Sequence, residues 1–392
     1  SLFFDKENPD VIIASPVSGE ISEICRGEKR KILSVVVKAD AEISYKEFSK
    51  AKAKDVTRAQ IIEQMLASGL WPFVRQRPFA VIANPADMPK AVFISAFDSA
   101  PLTCDSDFVL HGMEEEFQAG LDIVAKLTDG KTHLNLDGNS NSSSVFTSAK
   151  GVQINNVSGP HPAGNVGVQI HHIDPINKGE VVWYMYPQDV VAIGRLFSQG
   201  KYDATRLIAL AGSQVVKPRY YRTMQGASIT ALTEANIKPG ESRYISGNVL
   251  TGNKIAADGN LGFYHNEISV ISEGKEQEFL GWLLPGLSKF SLSRTFFSWM
   301  NPKKEYPISA NMNGEERAYV VTGQYESVLP MDVHPQHLIK SIMIGDIELM
   351  ENLGIYEVAE EDLALCEFSC TSKIPVQEIL REGLDLVKKE CS

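Results

Sequence analysis

The residues of this chain with the most chemical potential are two cysteines four positions apart. They lie in Leu365-Cys366-Glu367-Phe368-Ser369-Cys370-Thr371-Ser372-Lys373, just before an amphipathic stretch from Pro375 to Lys389. An iron–sulfur protein could hold a cluster at such a place. A cluster takes four thiolates, usually two or three of them close together. The remaining cysteines are Cys25, Cys104 and Cys391, and no Cys-x-x-Cys occurs. Cys366 and Cys370 therefore read as a vestigial cluster position, on a redox-protein scaffold without redox chemistry of its own.

The second candidate is a loop rich in glycine and proline. The stretch Gly151 to Gly167 reads Gly-Val-Gln-Ile-Asn-Asn-Val-Ser-Gly-Pro-His-Pro-Ala-Gly-Asn-Val-Gly. Its second half follows a predicted strand, as a phosphate-cradling loop does. It lacks a Walker lysine and does not fit Gly-x-Gly-x-x-Gly, and Pro160 and Pro162 remove two backbone donors that a phosphate nest uses. Gly159, His161, Gly164, Asn165 and Gly167 are thus candidates for a ligand or partner loop, against the plainer reading of a rigid connection. On the ligand reading, a bulky residue at Gly164 should weaken that contact without unfolding the chain.

Other constellations carry less. Gly130-Lys131-Thr132 copies the tail of a Walker motif, but Ala125 stands where the earlier glycine belongs. His161, His171 and His172 invite zinc. Adjacent histidines on a strand point to opposite faces, however, and Asp174 is the only carboxylate nearby. His334-Pro335-Gln336-His337 fares the same, so no metal site is expected. No nucleophile elbow Gly-x-Ser-x-Gly occurs, and no catalytic residues can be singled out. Lys6 is the one lysine placed like a cofactor-carrying hairpin lysine, although Pro9 disturbs a tight turn there. Lys46, Lys50, Lys52, Lys54 and Arg58 read as a solvated helix face. Arg75, Arg77, Lys217, Arg219 and Arg222 are candidates for an anionic contact. Phe290, Phe296, Phe297 and Trp299 cluster in a loop and, if exposed, mark a protein or membrane interface.

The elements that would position these residues fall into four parts, making an α/β multidomain chain. Residues 1–41 read as short strands, Val11–Ala14 and Ile32–Val37, around a turn at Ser15–Gly19: a partial biotinyl/lipoyl-like barrel-sandwich β domain. The start, Ser1-Leu2-Phe3-Phe4, falls in the middle of a β pattern, so an upstream part of this domain is expected before it. Residues 42–235 alternate helices and strands, predicting an open Rossmann-like α/β domain with a largely parallel sheet. Its helices include Asp55–Leu70, capped by Asp55, and Phe117–Leu127. Its strands include Phe79–Ala83, Ala91–Ser95, His133–Leu136 and Val152–Val157. Such domains bind ligands at the carboxyl ends of their strands. Residues 236–285 read as a small β-grasp-like (SLBB-type) insert, and 286–392 as a C-terminal helical domain.

Composition narrows the partners. The chain has 392 residues, 43% of them hydrophobic, enough for several packed domains. A net charge of -11 argues against nucleic acid, whose phosphates want a basic face. Five irregularly spaced cysteines suit a reducing compartment. The longest apolar runs, such as Val181–Tyr186 and Gly281–Leu287, fall well short of the ~20 residues that cross a bilayer. Membrane association is therefore expected to be peripheral.

Four segments together resemble a known family: Ser15 to Ile21 with Arg26-Gly27; Gly159-Pro160-His161-Pro162-Ala163-Gly164-Asn165-Val166-Gly167; Gly281-Trp282-Leu283-Leu284-Pro285-Gly286 leading to Ser293-Arg294-Thr295-Phe296; and Glu360 to Cys366, ending at Cys370. The chain is similar throughout to the A subunits of the Na+-translocating NADH:quinone reductases. That family is related to the flavin-bearing, NADH-oxidising subunit of complex I and to the C subunit of the Rnf complex, which carry cysteine clusters in their C-terminal parts. The resemblance implies no cofactor in this chain, with flavins and iron–sulfur in partner subunits and NADH and quinone as substrates of the complex. It implies a peripheral subunit on the cytoplasmic face of the inner membrane, docked on membrane subunits, with a part in quinone access. A stand-alone soluble flavoprotein is the alternative.

Overall fold

Four runs, Ala91–Ser95, Lys131–Asp137, Gln153–Val157 and Val182–Met185, each with β-branched, leucine or aromatic residues to bury, line up as parallel strands. Ala91–Ser95 is buried at every position, as a strand covered on both faces must be. In this computed structural model, which describes residues 1–275, 278–281, 283–292, 294–301 and 303–391, the sheet has six strands. Arg75–Arg77 runs antiparallel to Val182–Met185, and Val81–Ile82 completes that edge. From Ala91–Ser95 the chain steps outward to Lys131–Asp137 and Gln153–Val157. It then returns through the helix Val166–Ile173 to lay Val182–Met185 on the opposite side of Ala91–Ser95. Strand order therefore reverses between Ala91–Ser95 and Val182–Met185, which makes the region beyond their carboxyl ends the topological switch point of the sheet.

Trp71 and Trp183, both fully buried, meet edge to face with ring centroids 5.4 Å apart at the centre of this domain. One face is covered by the helices Glu114–Val124 and Pro187–Gln199, which touch backbone to backbone. A Cβ at Gly120 would lie 2.0 Å from the Val190 carbonyl oxygen, and one at Gly194 would lie 1.9 Å from that of Glu116. Only glycine lets the two helices close to this distance.

Several local expectations change. The helix begins at Arg58 and is capped by Thr57, whose hydroxyl and Gln60 form a capping box, so Asp55 lies in the preceding turn. Lys46, Lys50 and Lys52 lie in irregular chain and Lys54 in the single 3-10 turn Ala53–Asp55, rather than on an α-helix. Arg58 is drawn inward, donating to the Leu127 and Asp87 carbonyls and lying over the Trp183 ring. In the expected strand Phe79–Ala83 only Val81–Ile82 is extended. Phe79 and Ala80 take left-handed φ values of 77° and 50°. The cause is packing: the Phe79 ring leaves the sheet for the core of the C-terminal helices, and Arg381 holds its carbonyl at 2.8 Å.

A second sheet follows in the order Arg219–Met224, Thr205–Ala211, Glu267–Ser272, Ser242–Ser246, Asn253–Ile255. Its first two strands lie before residue 236, so the sheets divide near 204 rather than at the expected 235. Periodicity cannot show this, because Thr205–Ala211 reads like one more strand of an α/β domain. The N-terminal part is a twisted hairpin, Gly19–Arg26 with Ile32–Ala39, beside the short pair Phe3–Phe4 and Ile12–Ile13. At the other end Pro335–Met343, Ile347–Asn352, Ala364–Ser369 and Val376–Cys391 pack around Leu338, Ile339, Met350, Leu380 and Leu384. Trp282, Ser293 and Pro302, which belong to the aromatic stretch and its polar end, lie outside the described residues.

The helix contact is directly testable. Gly120→Val should drive its side chain into the Val190 carbonyl and lower stability by about 3 kcal/mol, read from the urea midpoint. A midpoint within experimental error of the native one would show that the helices can separate at no cost.

Candidate functional site

The region at the strand-order switch is built from three places far apart in sequence. Ser99 follows the strand Ala91–Ser95, the loop 158–165 follows Gln153–Val157, and Glu361 and Asp362 come from the C-terminal domain. The Ser99 hydroxyl accepts from the Gly164 N–H at 2.8 Å and lies 3.0 Å from His161 Nδ1. The hydroxyl keeps its proton and a second lone pair, so it can serve Nδ1 as donor or as acceptor. Nε2 is buried without a partner, and burial pushes the His161 imidazole down to about 4, although the Asp362 charge works against this. His161 is therefore neutral.

Under the loop runs a ladder of amides. Asn155 Nδ2 donates to Asn135 Oδ1, Asn135 Nδ2 to Gln169 Oε1, and Gln169 Nε2 to the Gly164 carbonyl, at 2.8, 2.8 and 3.1 Å. The ladder ties two neighbouring strands, the helix Val166–Ile173 and the loop into one hydrogen-bonded unit.

The decisive contact comes from the other end of the chain. Arg77, fully buried, donates from Nη1 to Asp362 Oδ2 at 2.9 Å and from Nη2 to Glu361 Oε1 at 2.7 Å. Burial disfavours its cation, but the two carboxylates more than offset this and hold Arg77 above its ordinary range. Asp362 also accepts from the Ala359 N–H at 2.9 Å, and its Oδ1 is buried without a partner. The same carboxylate lies against the first turn of the helix Val166–Ile173, so close that a Cβ at Gly167 would fall 2.3 Å from Oδ2. Asn165, the N-cap residue, donates to the Glu361 carbonyl at 2.8 Å. A helix N-terminus favours an anion there, and this chain supplies one from its own C-terminal domain.

The candidate loop residues are thus brought together, facing inward. Gly164 and Gly167 are buried, and His161 and Asn165 half-buried. Gly159, at φ 152°, turns the chain into the loop, where a Cβ would come 3.2 Å from the Ala163 methyl. A bulky residue at Gly164 would strike the Ser99 backbone nitrogen at 2.3 Å, so the expectation of a fold-neutral substitution there does not hold.

His171 and His172 lie on a helix, not a strand. His171 accepts from the Asp332 N–H at Nε2 and pairs through Nδ1 with Glu357, while His172 donates to the Pro330 carbonyl. Both serve the seam with the C-terminal domain. Cys366 and Cys370 are buried in the helical core, where Tyr325 donates to Cys370 Sγ at 3.0 Å and burial pushes the Cys366 thiol up. Among the described residues no group of three potential ligands could hold a metal ion. The thiols present do not fit a cluster. Of the basic residues, Arg75 and Arg77 are inside, whereas Lys217, Arg219 and Arg222 are exposed along an edge of the second sheet. Lys6 is exposed in the turn between the first two short strands.

Beside the switch point, the two sheets meet near a buried acid. Glu267 opens the strand Glu267–Ser272, with Cys104 beside it. Burial, with Asp98 nearby, pushes its carboxyl up to about 8. Ser99, Asp98, Glu267 and Asp362 carry no motif in the sequence. Asp362 lies 285 positions from Arg77, and only the fold joins them.

Comparison with known proteins agrees with this architecture. The family models described as the NqrA N-terminal barrel-sandwich hybrid domain, the NqrA second alpha/beta domain and the NQRA C-terminal domain match residues 1–40, 56–202 and 207–257. The A subunit of the Na(+)-translocating NADH-quinone reductase of Yersinia pestis bv. Antiqua (strain Angola) is 41% identical over 394 residues, covering 100% of this chain and 88% of that protein. The chain belongs to this NqrA family. The family member from Pasteurella multocida (strain Pm70) is 40% identical over 99% of this chain and 87% of its own length. A solved NAD+-reducing [NiFe]-hydrogenase in the air-oxidized state is 13% identical with a TM-score of 0.45, over 86% of this chain and 62% of that one.

Two measurements probe the site. Asp362→Ala leaves Arg77 buried beside a single remaining carboxylate and should cost about 4 kcal/mol by urea denaturation. A loss below about 1 kcal/mol would place the pair among weak surface bridges. Glu267 keeps its proton when folded and loses it when unfolded, so stability should fall as pH rises from about 4.5 through about 8. Glu267→Gln should flatten that slope, and an identical slope in both proteins would locate the titration elsewhere.

Proposed function

We propose that this chain is a cofactor-free peripheral subunit of a Na+-translocating NADH:quinone oxidoreductase, the complex that couples electron transfer from NADH to quinone with Na+ export. The observation that carries the reading is the Asp362 carboxylate on the N-terminus of the helix Val166–Ile173. In an open α/β domain that position receives a nucleotide or flavin phosphate. Here an internal anion, locked by Arg77, fills it, and Pro160 and Pro162 withhold backbone donors from the loop. The residues present do not fit a flavin at the switch point, so the alternative of a stand-alone flavoprotein loses its site. Partner subunits supply the flavins and iron–sulfur centres in this proposal.

The loop Gly159–Gly167 then acts as a joint, coupling the α/β sheet to the C-terminal domain, rather than as a catalytic loop. Among the described residues no helix is long and apolar enough to cross a membrane. This suits a subunit that sits on the cytoplasmic face of the inner membrane and docks on membrane subunits. A part in quinone access is supported by a cleft of about 810 Å3 whose lining includes Arg75, Tyr264 and Tyr356 beside charged residues such as Glu7, Lys178 and Lys388.

The purified chain should show no visible absorption that dithionite bleaches. Added to a complex from which NqrA has been removed, it should restore quinone reduction by NADH. A bleachable flavin or iron–sulfur band would make the chain a redox protein itself and sink the proposal.

A further inference from the structure

The chain is acidic overall, yet one long segment of it is not. From Phe279 to Lys304 there is no Asp or Glu, while Lys289, Arg294, Lys303 and Lys304 are all basic. This segment folds back on itself as a lobe. The Phe297 N–H donates to the Pro285 carbonyl at 2.8 Å, Lys304 Nζ to the Leu287 carbonyl at 3.0 Å, and Lys289 Nζ to the Gly281 carbonyl at 3.1 Å. Phe290 anchors it to the body of the molecule, its ring 5.8 Å from that of Phe368.

The outside of the lobe is apolar to a degree no other part of the chain approaches among the described residues. Phe279 is 91% exposed, Leu283 63%, Leu284 55%, Leu287 59%, and Phe297 and Trp299 53% each. Single exposed apolar residues need no explanation, but so many within one lobe mark an interaction surface. Arg294, Lys303 and Lys304 are exposed beside them.

We infer that this lobe binds directly to the surface of an anionic phospholipid bilayer. The chemistry matches on two counts. Leucines and aromatic rings insert between head groups, with tryptophan favoured at that depth, and the basic side chains meet lipid phosphates. Acidic side chains stand only at its two ends, Glu278 paired with Lys289 and Glu305 after Lys304, so the stretch between them avoids most of the repulsion that the rest of this negatively charged protein would meet there. A protein partner would require a shaped, dry interface with paired donors and acceptors, whereas this lobe exposes leucines and aromatic rings in irregular chain, with Arg294, Lys303 and Lys304 exposed among them. The inference deepens the peripheral-subunit reading by naming the surface that touches lipid. It is read on the chain alone, so it can fail while docking on membrane subunits stands, and the reverse.

The test is flotation of the full chain with extruded vesicles of phosphatidylcholine plus phosphatidylglycerol, against phosphatidylcholine alone. Binding should need the anionic lipid and weaken in high salt. Arg294→Glu with Lys303→Glu should reduce partitioning roughly tenfold or more. Leu283→Asp with Leu284→Asp should reduce it comparably. Both pairs are exposed, so an unchanged far-ultraviolet spectrum is expected. Leu33→Asp, an exposed apolar residue of the N-terminal hairpin, should leave binding unaltered. No flotation with anionic vesicles, equal flotation with neutral ones, or equal loss in the Leu33 variant would each overturn the inference. If the lobe variants instead lose only their association with detergent-solubilised membrane subunits, the surface is a protein interface and the lipid assignment is wrong.

Discussion

Everything in the centre of this molecule depends on one buried cation, the Arg77 guanidinium. It lies on the strand next to the edge of the six-stranded sheet and reaches two consecutive carboxylates of the C-terminal domain. A buried charge is costly unless it is paired and hydrogen-bonded, so Arg77 cannot accept a loosely docked partner. The Asp362 carboxylate in turn finds the positive end of the helix Val166–Ile173. Sheet, helix and C-terminal domain thus share one electrostatic arrangement, and none of the three parts satisfies its charges alone.

Around that arrangement the loops change character. A loop at the carboxyl edge of an open α/β sheet is ordinarily where a ligand enters. Here it is built inward, with its glycines used for close approach and its polar groups engaged by Ser99, Gln169 and Glu361. The histidine it carries is neutral. The same closeness appears on the opposite face, where Gly120 and Gly194 let two helices touch backbone to backbone. Small residues in this chain mark contact between parts of the chain more than contact with other molecules.

Much of the architecture could be read from the sequence. The β-branched run at 91–95, the helix after Pro375 and the strand-helix alternation from 58 to 200 have periods that local physics dictates. What failed did so for tertiary reasons. Phe79 has a strand former's side chain, but its ring belongs to another domain's core, so the strand starts two residues late. His171 and His172 follow Val-Gly-Val-Gln-Ile, an apolar run as compatible with a strand as with the buried helix it forms. The pairing of Arg77 with Asp362 was invisible, because no local pattern joins residues at opposite ends of a chain. The loop was visible as unusual composition, and only its neighbours reveal that it faces inward.

The amide ladder beneath the loop has a direction. Asn155 gives a proton to Asn135, Asn135 to Gln169, and Gln169 to the Gly164 carbonyl. Each side chain acts as acceptor on one side and donor on the other, so no single amide can turn over without breaking its neighbour's bond. Reversal would have to be concerted along the row, and it would end with an amide oxygen facing a backbone oxygen. The row therefore pins the Gly164 carbonyl to two neighbouring strands in a single orientation, and the loop's place is kept by the sheet beneath it.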